Sequence, residues 1–368
     1  MFNRLLPLIV ALALMAPSSG RICLCWAHEL PTPRAKNHQR VMYFVDDQGT
    51  EQPVQSRADW ERRRKDIIVG VEAVFGPLPD RSQLGPVKFE VVPGSRAETE
   101  THTREKLKIE VDDGDSLLAW LLVPKGLKGI VPGIIAIHQT NGKLGKDEVV
   151  GLSGLKNLHY GRELVERGYV VIAPDYPSLG EYSYDFSKDR YLSGSMKGIW
   201  NHMRCVDLLA RHENVDAKRI AAIGHSLGGH NSIFLGVFDS RVQAVVTSCG
   251  WTPMPDYEGG KISGWSGERY APRIRSEYGA EASRLPFDFY ELISALAPRG
   301  FFSCSPMRDS NFDVAGVKKA IPVVREVYEL WQVPDRLQVR YPECGHDFPP
   351  DVREESYQFL DKLLQHKK

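Results

Sequence analysis

Short apolar runs alternate with stretches of helical periodicity along most of the chain from residue 130 onward. The continuously apolar run 131–137 is typical of a strand buried on both faces of a sheet. Strands are predicted there and at five further places, 169–173, 220–223, 242–247, 300–304 and 337–341. Apolar residues at helical spacing predict helices at 155–167, 199–210, 231–237, 314–331 and 351–365. This alternation predicts an α/β fold, with a mostly parallel central sheet and helices on both faces.

The chain before residue 130 follows a different pattern. A helix is predicted at 59–75, and Gly76-Pro77 ends it. Strands are predicted at 87–92, 107–111 and 117–123, with a hairpin-like order that favours an antiparallel edge of the same sheet. The basic run 62–65 is interpreted as a solvated helix face. We therefore expect an N-terminal extension with one helix at 28–106.

Residues 107–368 are predicted to form the α/β domain. The segment 251–290 breaks its strand–helix alternation. We interpret this segment as a small insertion after the sixth strand, counted from residue 107.

The first 27 residues have the pattern of a secretory signal peptide. Arg4 precedes an apolar stretch at 5–16, and small residues follow. Cleavage after Gly20 and cleavage after Ala27 are both compatible with the sequence. The apolar stretch is shorter than the roughly 20 residues of a membrane-spanning helix, so we expect a secreted or periplasmic protein without stable membrane insertion. An uncleaved membrane anchor is the alternative.

Charge and cysteine content exclude some classes of function. The chain has 47 Lys and Arg and 47 Asp and Glu, so its formal net charge of zero argues against a nucleic-acid binder. Cys205, Cys249, Cys304 and Cys344 follow the signal segment, and none has the spacing of a zinc site. We expect no metal and no organic cofactor. A Cys304–Cys344 disulfide is left open, with buried free thiols as the alternative.

A glycine-rich segment carries the strongest indication of chemistry. Residues 224–229 read Gly-His-Ser-Leu-Gly-Gly, between a predicted strand and a predicted helix. This is the context of a G-x-S-x-G nucleophile elbow, in which a sharp turn exposes a serine at the carboxyl edge of the sheet. The segment predicts Ser226 as a nucleophile.

A serine nucleophile needs a base, and the base needs an orienting acid. His346 follows the strand 337–341 and precedes the last helix, so it is the predicted base. Asp309 follows the strand 300–304 and is the predicted acid. Asp313 is the close alternative, although its position also suits the start of a helix. Carboxylates after the preceding strand, at Asp256 and Glu258, are a further alternative.

Backbone N–H groups complete the predicted site. The N–H of Leu227, which follows the nucleophile, is one expected donor to the oxyanion. The loop after 131–137 should supply the other donor, with Thr140 first and Gln139 second. His138 in this loop is interpreted as a structural brace.

These residues resemble a known family. The segments 138–140 (His-Gln-Thr), 174–177 (Pro-Asp-Tyr-Pro) and 224–229 are similar to those of the α/β-hydrolase superfamily, in its dienelactone hydrolase and acetyl xylan esterase branch. The resemblance spans about 107–366 and implies an α/β-hydrolase fold. Dienelactone hydrolases use a cysteine nucleophile, whereas this chain has Ser226. The resemblance therefore implies a serine esterase.

The sequence as a whole predicts a secreted serine hydrolase that cleaves carboxylic esters through a Ser-His-Asp acyl-enzyme mechanism. The expected partner is a small-molecule or carbohydrate ester. A serine peptidase of the same fold is one alternative, and a non-catalytic carbohydrate-binding protein is another.

The insertion is the predicted source of substrate contacts. It holds 8 aromatic residues in 40 positions, against 10% aromatic residues in the whole chain. Aromatic faces suit sugar rings or aryl groups, and three arginines at 269, 273 and 275 suit carboxylates. Trp265 is the first predicted substrate contact and Trp251 the second, which favours acylated carbohydrates or aryl esters.

Overall fold

A long twisted sheet forms the centre of the molecule. The computed structural model describes residue 30 and residues 32–188 and 190–367. Within these residues ten strands lie in the order β12-β11-β10-β9-β7-β8-β6-β5-β3, with β4 paired to β5, and β1 and β2 form a separate hairpin. The strands are β1 Tyr43–Val45, β2 Glu51–Pro53, β3 Phe89–Val91, β4 Ala97–Glu98, β5 His102–Asp112, β6 Asp115–Pro124, β7 Val131–Ile137, β8 Val170–Pro174, β9 Val215–His225, β10 Val242–Ser248, β11 Gly300–Cys304 and β12 Leu337–Arg340.

The direction of strand pairing agrees with the prediction from sequence. Strands β12, β11, β10, β9, β7 and β8 pair in parallel. Strands β6, β5, β4 and β3 pair antiparallel at one edge. The predicted mostly parallel sheet with an antiparallel edge is therefore confirmed.

Helices cover both faces of this sheet. They are α1 Arg57–Phe75, α2 Lys146–Val149, α3 Tyr160–Glu166, α4 Gly194–Leu209, α5 Leu227–Phe238, α6 Arg273–Ser276, α7 Phe289–Ser294, α8 Val314–Leu330 and α9 Pro350–Leu363. Successive side chains of a strand point to opposite faces, so β7 contributes Ile135 and Ile137 to one core and Ile134 and Ala136 to the other. The first core includes α1, α4, α5 and α8, and the second includes α3 and α9.

Element boundaries differ from the prediction where local signals are weak. The helix predicted at 155–167 begins only at Tyr160, after a single 3-10 turn at Lys156–Leu158. The β1–β2 hairpin and α7 were not predicted, because three-residue strands and a six-residue helix show too little periodicity.

The N-terminal segment belongs to the same core as the α/β domain. The boundary proposed between 106 and 107 falls inside β5, since β5 begins at His102. Helix α1 begins with a capping box formed by Ser56 and Asp59, and it packs on α4, α6 and α7. Residues before 107 thus contribute β3, β4 and α1 to the body of the protein.

The interpretation of the basic run 62–65 as a solvated face is right for Arg62 and Lys65, which are exposed, and wrong for Arg63 and Arg64. Arg63 is 1% exposed, and its guanidinium is ion-paired with the buried Glu291 of α7. The Arg64 guanidinium donates to the carbonyls of Ala295 (3.1 Å) and Val237 (2.8 Å). These two arginines fasten α1 to the domain, because a buried guanidinium needs acceptors for its N–H groups.

The segment 251–290 lies between β10 and β11 and consists of short 3-10 turns, α6 and the start of α7. The signal segment predicted at 1–27 lies outside the described residues. Within the described part of the chain, none of the helices is long and apolar enough to cross a bilayer.

Candidate active site

Ser226 occupies a sharp turn between β9 and α5. Its backbone has φ 52° and ψ −121°, a region that side-chain-bearing residues rarely adopt. The Ser226 N–H donates to the carbonyl of Ser248 (2.8 Å), and the Ser226 carbonyl accepts from the N–H of His230 (2.9 Å). The turn therefore holds the serine between the end of a central strand and the N-terminus of a helix.

The glycines around Ser226 allow the strand and the helix to approach closely. A Cβ at Gly224 would collide with the backbone of Gly228, and a Cβ at Gly228 would collide with the carbonyl of Ile137 at the end of β7. Both positions thus require glycine, because the atoms that a side chain would meet belong to the backbone and cannot move aside.

Gly228→Ala should lower both stability and activity. Overpacking of this kind costs about 1–3 kcal/mol of unfolding free energy. The new methyl group would also push α5 away from the loop after β7, and a displacement of about 1 Å near reacting groups can cost on the order of 10²-fold in rate. Denaturant unfolding and ester hydrolysis would measure the two effects.

Gly267→Ala is the matched control, since a Cβ there meets no atom within 4 Å and the backbone φ is −74°. If both alanine variants behave alike, close packing at the elbow is not the cause.

His346 and Asp309 form a hydrogen-bonded pair beside the elbow. The His346 Nδ1 lies 3.0 Å from each oxygen of the Asp309 carboxylate. The Asp309 side chain is fully buried, whereas that of His346 is 24% exposed. This geometry leaves the opposite ring nitrogen, Nε2, free to act outside the pair.

Asp309 is held in its ionised form. Burial works to raise the pKa of this carboxyl, but the hydrogen bond and the charge interaction with His346 act in the opposite direction. The N–H groups of Asn311 (2.9 Å) and Phe312 (3.2 Å) also donate to its Oδ1. The net result is a pKa below the ordinary value of an aspartate, so the side chain remains a carboxylate at neutral pH.

Two rings fix the orientation of the His346 imidazole. Phe312 stacks on it, with ring centroids 6.1 Å apart and an interplanar angle of 15°. His225 packs against it at 4.8 Å in a T-shaped arrangement. Burial lowers the pKa of His225 to about 3, so His225 is neutral and adds no charge beside His346. Sequence reasoning gave Phe312 and His225 no place in the site, because their contacts arise only in three dimensions.

The alternative acids have other roles or positions. Asp313 caps α8 by accepting from the N–H of Ala315 (2.8 Å). Asp256 is ion-paired with Lys319, and Glu258 is exposed. Among the predicted acids, only Asp309 contacts His346.

The residues predicted to supply the oxyanion donors lie together beside Ser226. Leu227, Thr140 and Gln139 line the same cavity as Ser226. In the described part of the chain, no hydrogen bond is seen from the backbone N–H of any of the three. The N-terminus of α5, where Leu227 lies, also favours negative charge.

His138 braces the loop that carries Gln139 and Thr140. Its Nε2 accepts from the N–H of Tyr176 (3.0 Å), so its Nδ1 carries the proton and donates to the Gln139 carbonyl (2.6 Å). Burial lowers the pKa of His138, which keeps the ring neutral. The predicted structural role of His138 agrees with these contacts.

A cavity of about 350 Å³ opens over Ser226. Its walls combine backbone of the elbow with aromatic side chains from the insertion. It is lined by Gln139, Thr140, Ser226, Leu227, Tyr257, Gly264, Trp265, Tyr270, Asn311, Phe312 and His346. Apart from His346, this lining contains no acidic or basic side chain.

Trp265 is at the centre of the aromatic wall. His230 stacks on its indole at 4.3 Å with an interplanar angle of 11°. Tyr257 lies 5.7 Å away and Tyr270 5.1 Å away, measured between ring centroids. These contacts hold the indole in place at the cavity. The aromatic enrichment of 251–290 was the sequence signal for this wall.

The second predicted substrate contact, Trp251, does not reach the cavity. It is 1% exposed, and its indole N–H donates to the Ser303 hydroxyl (2.9 Å). It packs against Phe289 and Phe301 in the core. The structure thus corrects the assignment of Trp251, which lies too deep to touch a substrate.

The three arginines of the insertion also point elsewhere. Arg269 donates to the Ser178 hydroxyl (2.7 Å), Arg273 to the Ala73 carbonyl (3.0 Å) and Arg275 to the Ser266 hydroxyl (3.2 Å). None of them lines the cavity. The suggestion that they bind a substrate carboxylate in this cavity is wrong. Arg269 and Arg273 tie the insertion to neighbouring segments, and Arg275 bonds within the insertion.

The four described cysteines are free thiols, of which Cys205, Cys249 and Cys304 are buried. The Cys304–Cys344 disulfide that the sequence left open is absent from the described structure.

Comparison with known proteins identifies a matching family and structures of similar fold. The family described as "Glucuronyl esterase, fungi" matches residues 116–332, which include Ser226 and Asp309 and end before His346. The 4-O-methyl-glucuronoyl methylesterase 1 of Wolfiporia cocos (strain MD-104) is 24% identical over 87% of this chain and 79% of its own length.

Two solved structures illustrate the similarity of fold. A glucuronoyl esterase from Solibacter usitatus has a TM-score of 0.68 at 18% identity, over 90% of this chain and 98% of that one. Acetyl xylan esterase 1 from Thermoanaerobacterium sp. JW/SL YS485 has a TM-score of 0.53 at 17% identity, over 76% of this chain and 89% of that one. The predicted α/β-hydrolase fold and the resemblance to esterases of this type are confirmed.

Proposed function

The chain belongs to the glucuronyl esterase family and is a carboxylic ester hydrolase, and we propose that it cleaves carbohydrate esters with Ser226 as the nucleophile. The observation that carries this proposal is the placement of Ser226 and His346 on one cavity, with His346 hydrogen-bonded to the buried Asp309 carboxylate.

The first half of the proposed reaction forms an acyl-enzyme. The Ser226 hydroxyl oxygen attacks the ester carbonyl while the His346 Nε2 takes its proton. The Asp309 carboxylate holds the His346 N–H at Nδ1 and stabilises the imidazolium that forms. His346 then delivers the proton to the leaving alcohol, and the acyl group remains on Ser226.

The second half regenerates the serine. Water attacks the acyl-enzyme as His346 removes its proton, and the same proton returns to the Ser226 oxygen as the acid departs. In both halves the N–H groups of Leu227 and of Thr140 or Gln139 would hold the oxyanion. Each such donor is worth about 3–4 kcal/mol of transition-state stabilisation.

The lining of the cavity supports a carbohydrate ester as substrate. An uncharged ester needs no counter-ion, and the lining offers no acidic or basic side chain besides His346. The faces of aromatic rings suit the apolar faces of sugars. Polar side chains of Gln139, Thr140 and Asn311 are available for sugar hydroxyls.

Trp265→Ala should raise KM several-fold for a carbohydrate or aryl ester and leave a short alkyl ester nearly unchanged. The reason is that a small acyl group would reach Ser226 without touching the wall, whereas a ring would lose its stacking surface. Steady-state kinetics with ethyl acetate as the short alkyl ester and an acylated sugar as the carbohydrate ester would measure the difference.

Trp331→Ala is the matched control, because Trp331 follows α8 and does not line the cavity. Equal changes of KM for both substrates in Trp265→Ala, or no change, would remove this residue from substrate recognition.

Hydrolysis of a panel of esters would test the proposed function. The panel would also show on which side of the ester bond the enzyme requires the sugar. Alkyl esters of glucuronic acid place the sugar on the acyl side, and acetylated xylooligosaccharides place it on the alcohol side. Family membership favours the glucuronic acid esters. Hydrolysis of peptide anilides but not of esters would indicate a peptidase, and a purified chain that a fluorophosphonate probe does not label would indicate a non-catalytic protein.

We also propose that the protein is exported to the periplasm or the medium. N-terminal sequencing of the chain recovered outside the cytoplasm should begin after Gly20 or after Ala27. Recovery of the intact chain in the membrane fraction would support an uncleaved anchor instead.

A further inference from the structure

A buried thiol lies beside the Asp309–His346 pair. Cys249 directly follows β10, and its backbone φ of 50° turns the chain sharply at that point. The Cys249 N–H donates to the Cys304 carbonyl (2.9 Å), and the thiol lies 3.3 Å from the Asp347 carbonyl oxygen. These contacts hold the sulfur close to Asp309.

The sulfur, a carboxylate oxygen and an imidazole nitrogen form a compact set of donors. Cys249, Asp309 and His346 each contribute one of these atoms, and the three atoms lie within 4.8 Å of one another. Zinc–ligand bonds of about 2.0–2.3 Å in a tetrahedron place ligand atoms about 3.3–3.8 Å apart. Small side-chain shifts would therefore bring all three onto one ion.

We propose that Cys249, Asp309 and His346 form a zinc site through which Zn²⁺ reversibly inhibits this enzyme. Thiolate, imidazole and carboxylate are the ligands that Zn²⁺ uses in proteins. Mg²⁺ and Ca²⁺ prefer sets of oxygen atoms, so this mixed set does not suit them. Water or the Asp347 carbonyl oxygen, which already lies beside the sulfur, would complete the tetrahedron.

Binding of the ion would block the proposed proton transfer. Zn²⁺ bonds to the Cys249 sulfur as the thiol proton leaves to solvent. It bonds to the His346 Nδ1 as the ring proton moves from Nδ1 to Nε2, with no change in the charge of the ring. With Nε2 protonated, His346 cannot accept the proton of Ser226, and its hydrogen bond to Asp309 is lost.

A proton competes with the zinc ion for the Cys249 sulfur. Burial raises the pKa of the Cys249 thiol, and the neighbouring Asp309 charge raises it further. The free enzyme retains the Asp309–His346 hydrogen bonds, which zinc would have to replace, so inhibition should require added zinc and should reverse with a chelator.

Hydrolysis of p-nitrophenyl acetate in chelator-buffered ZnCl₂ tests the site, with each variant normalised to its own zinc-free rate. The wild-type enzyme should be inhibited and should recover on addition of EDTA. Cys249→Ala should raise the zinc concentration for half-inhibition by at least about 10-fold.

Cys344→Ala is the matched control, because this thiol lies two residues from His346 and is partly exposed. It should keep the wild-type inhibition curve. Loss of inhibition in Cys344→Ala but not in Cys249→Ala would overturn the proposal, as would the absence of inhibition in the wild-type enzyme.

Cobalt binding provides a readout that does not depend on the reaction. Co²⁺ added to the wild-type protein should give a sulfur-to-cobalt charge-transfer absorption that Cys249→Ala lacks and Cys344→Ala retains. This measurement separates failure of the metal site from failure of the proposed function: a Cys249-dependent band in a protein without esterase activity would support the site alone. An identical band in all three proteins, or none in any, would contradict it.

Discussion

Ser226→Ala is expected to lower kcat for ester hydrolysis by on the order of 10⁶-fold while the fold stays intact. The hydroxyl is the only group of this side chain that takes part in the proposed reaction. Alanine keeps the Cβ that the turn already accommodates at φ 52°, so the elbow should keep its shape. Initial rates with an activated ester and a circular dichroism spectrum would measure activity and fold.

Ser248→Ala is a suitable control for this variant. Ser248 is a buried serine at the end of the neighbouring strand, and its hydroxyl lies 3.1 Å from the Nδ1 of His225. It does not line the cavity. Activity of Ser226→Ala within about tenfold of the wild-type enzyme would reject Ser226 as the nucleophile, because loss of a nucleophile costs far more.

Asp309→Asn is expected to lower kcat by about 10⁴-fold. The amide nitrogen cannot accept the His346 Nδ1–H, so the imidazole would turn to its other tautomer, in which Nε2 carries the proton. The backbone donors from Asn311 and Phe312 would still find an acceptor in the amide oxygen, so the loop should persist. A pH–rate profile and kcat would be compared with those of the wild-type enzyme.

Asp256→Asn is the matched control, since Asp256 is the rival carboxylate after the preceding strand and is ion-paired with the exposed Lys319. Only a small change is expected, because exposed ion pairs contribute about 0–1 kcal/mol. A mild Asp309→Asn together with a severe Asp256→Asn would move the acid to the earlier strand.

The buried aromatic and charged residues show where sequence reasoning reached its limit. Trp251 and Trp265 lie in the same irregular segment, yet one is 1% exposed in the core and the other lines the cavity. A segment without regular periodicity does not reveal which side chains face inward. Similarly, Arg63 reads as part of a basic surface run, and only its buried partner Glu291, 228 residues away, explains its position.

The sequence by itself determined the sheet and the order of the proposed catalytic residues. Continuous apolar runs identify buried parallel strands, and parallel strands bring their carboxyl ends to one edge. Ser226, Asp309 and His346 each follow a predicted parallel strand, so their meeting required no knowledge of individual contacts. The glycines at 224 and 228 were readable for the same reason, because the turn they permit is local.

Only the tertiary structure decided what surrounds these residues. The stacking of Phe312 and the packing of His225 on His346, the wall around Trp265 and the thiol of Cys249 beside Asp309 join residues far apart in the chain. Such contacts depend on how loops of irregular backbone pack over the sheet edge. Apolar residues in these loops do not recur at a regular spacing, so the sequence does not show which side chains are buried. The shape of the cavity therefore follows from the fold and not from the local sequence.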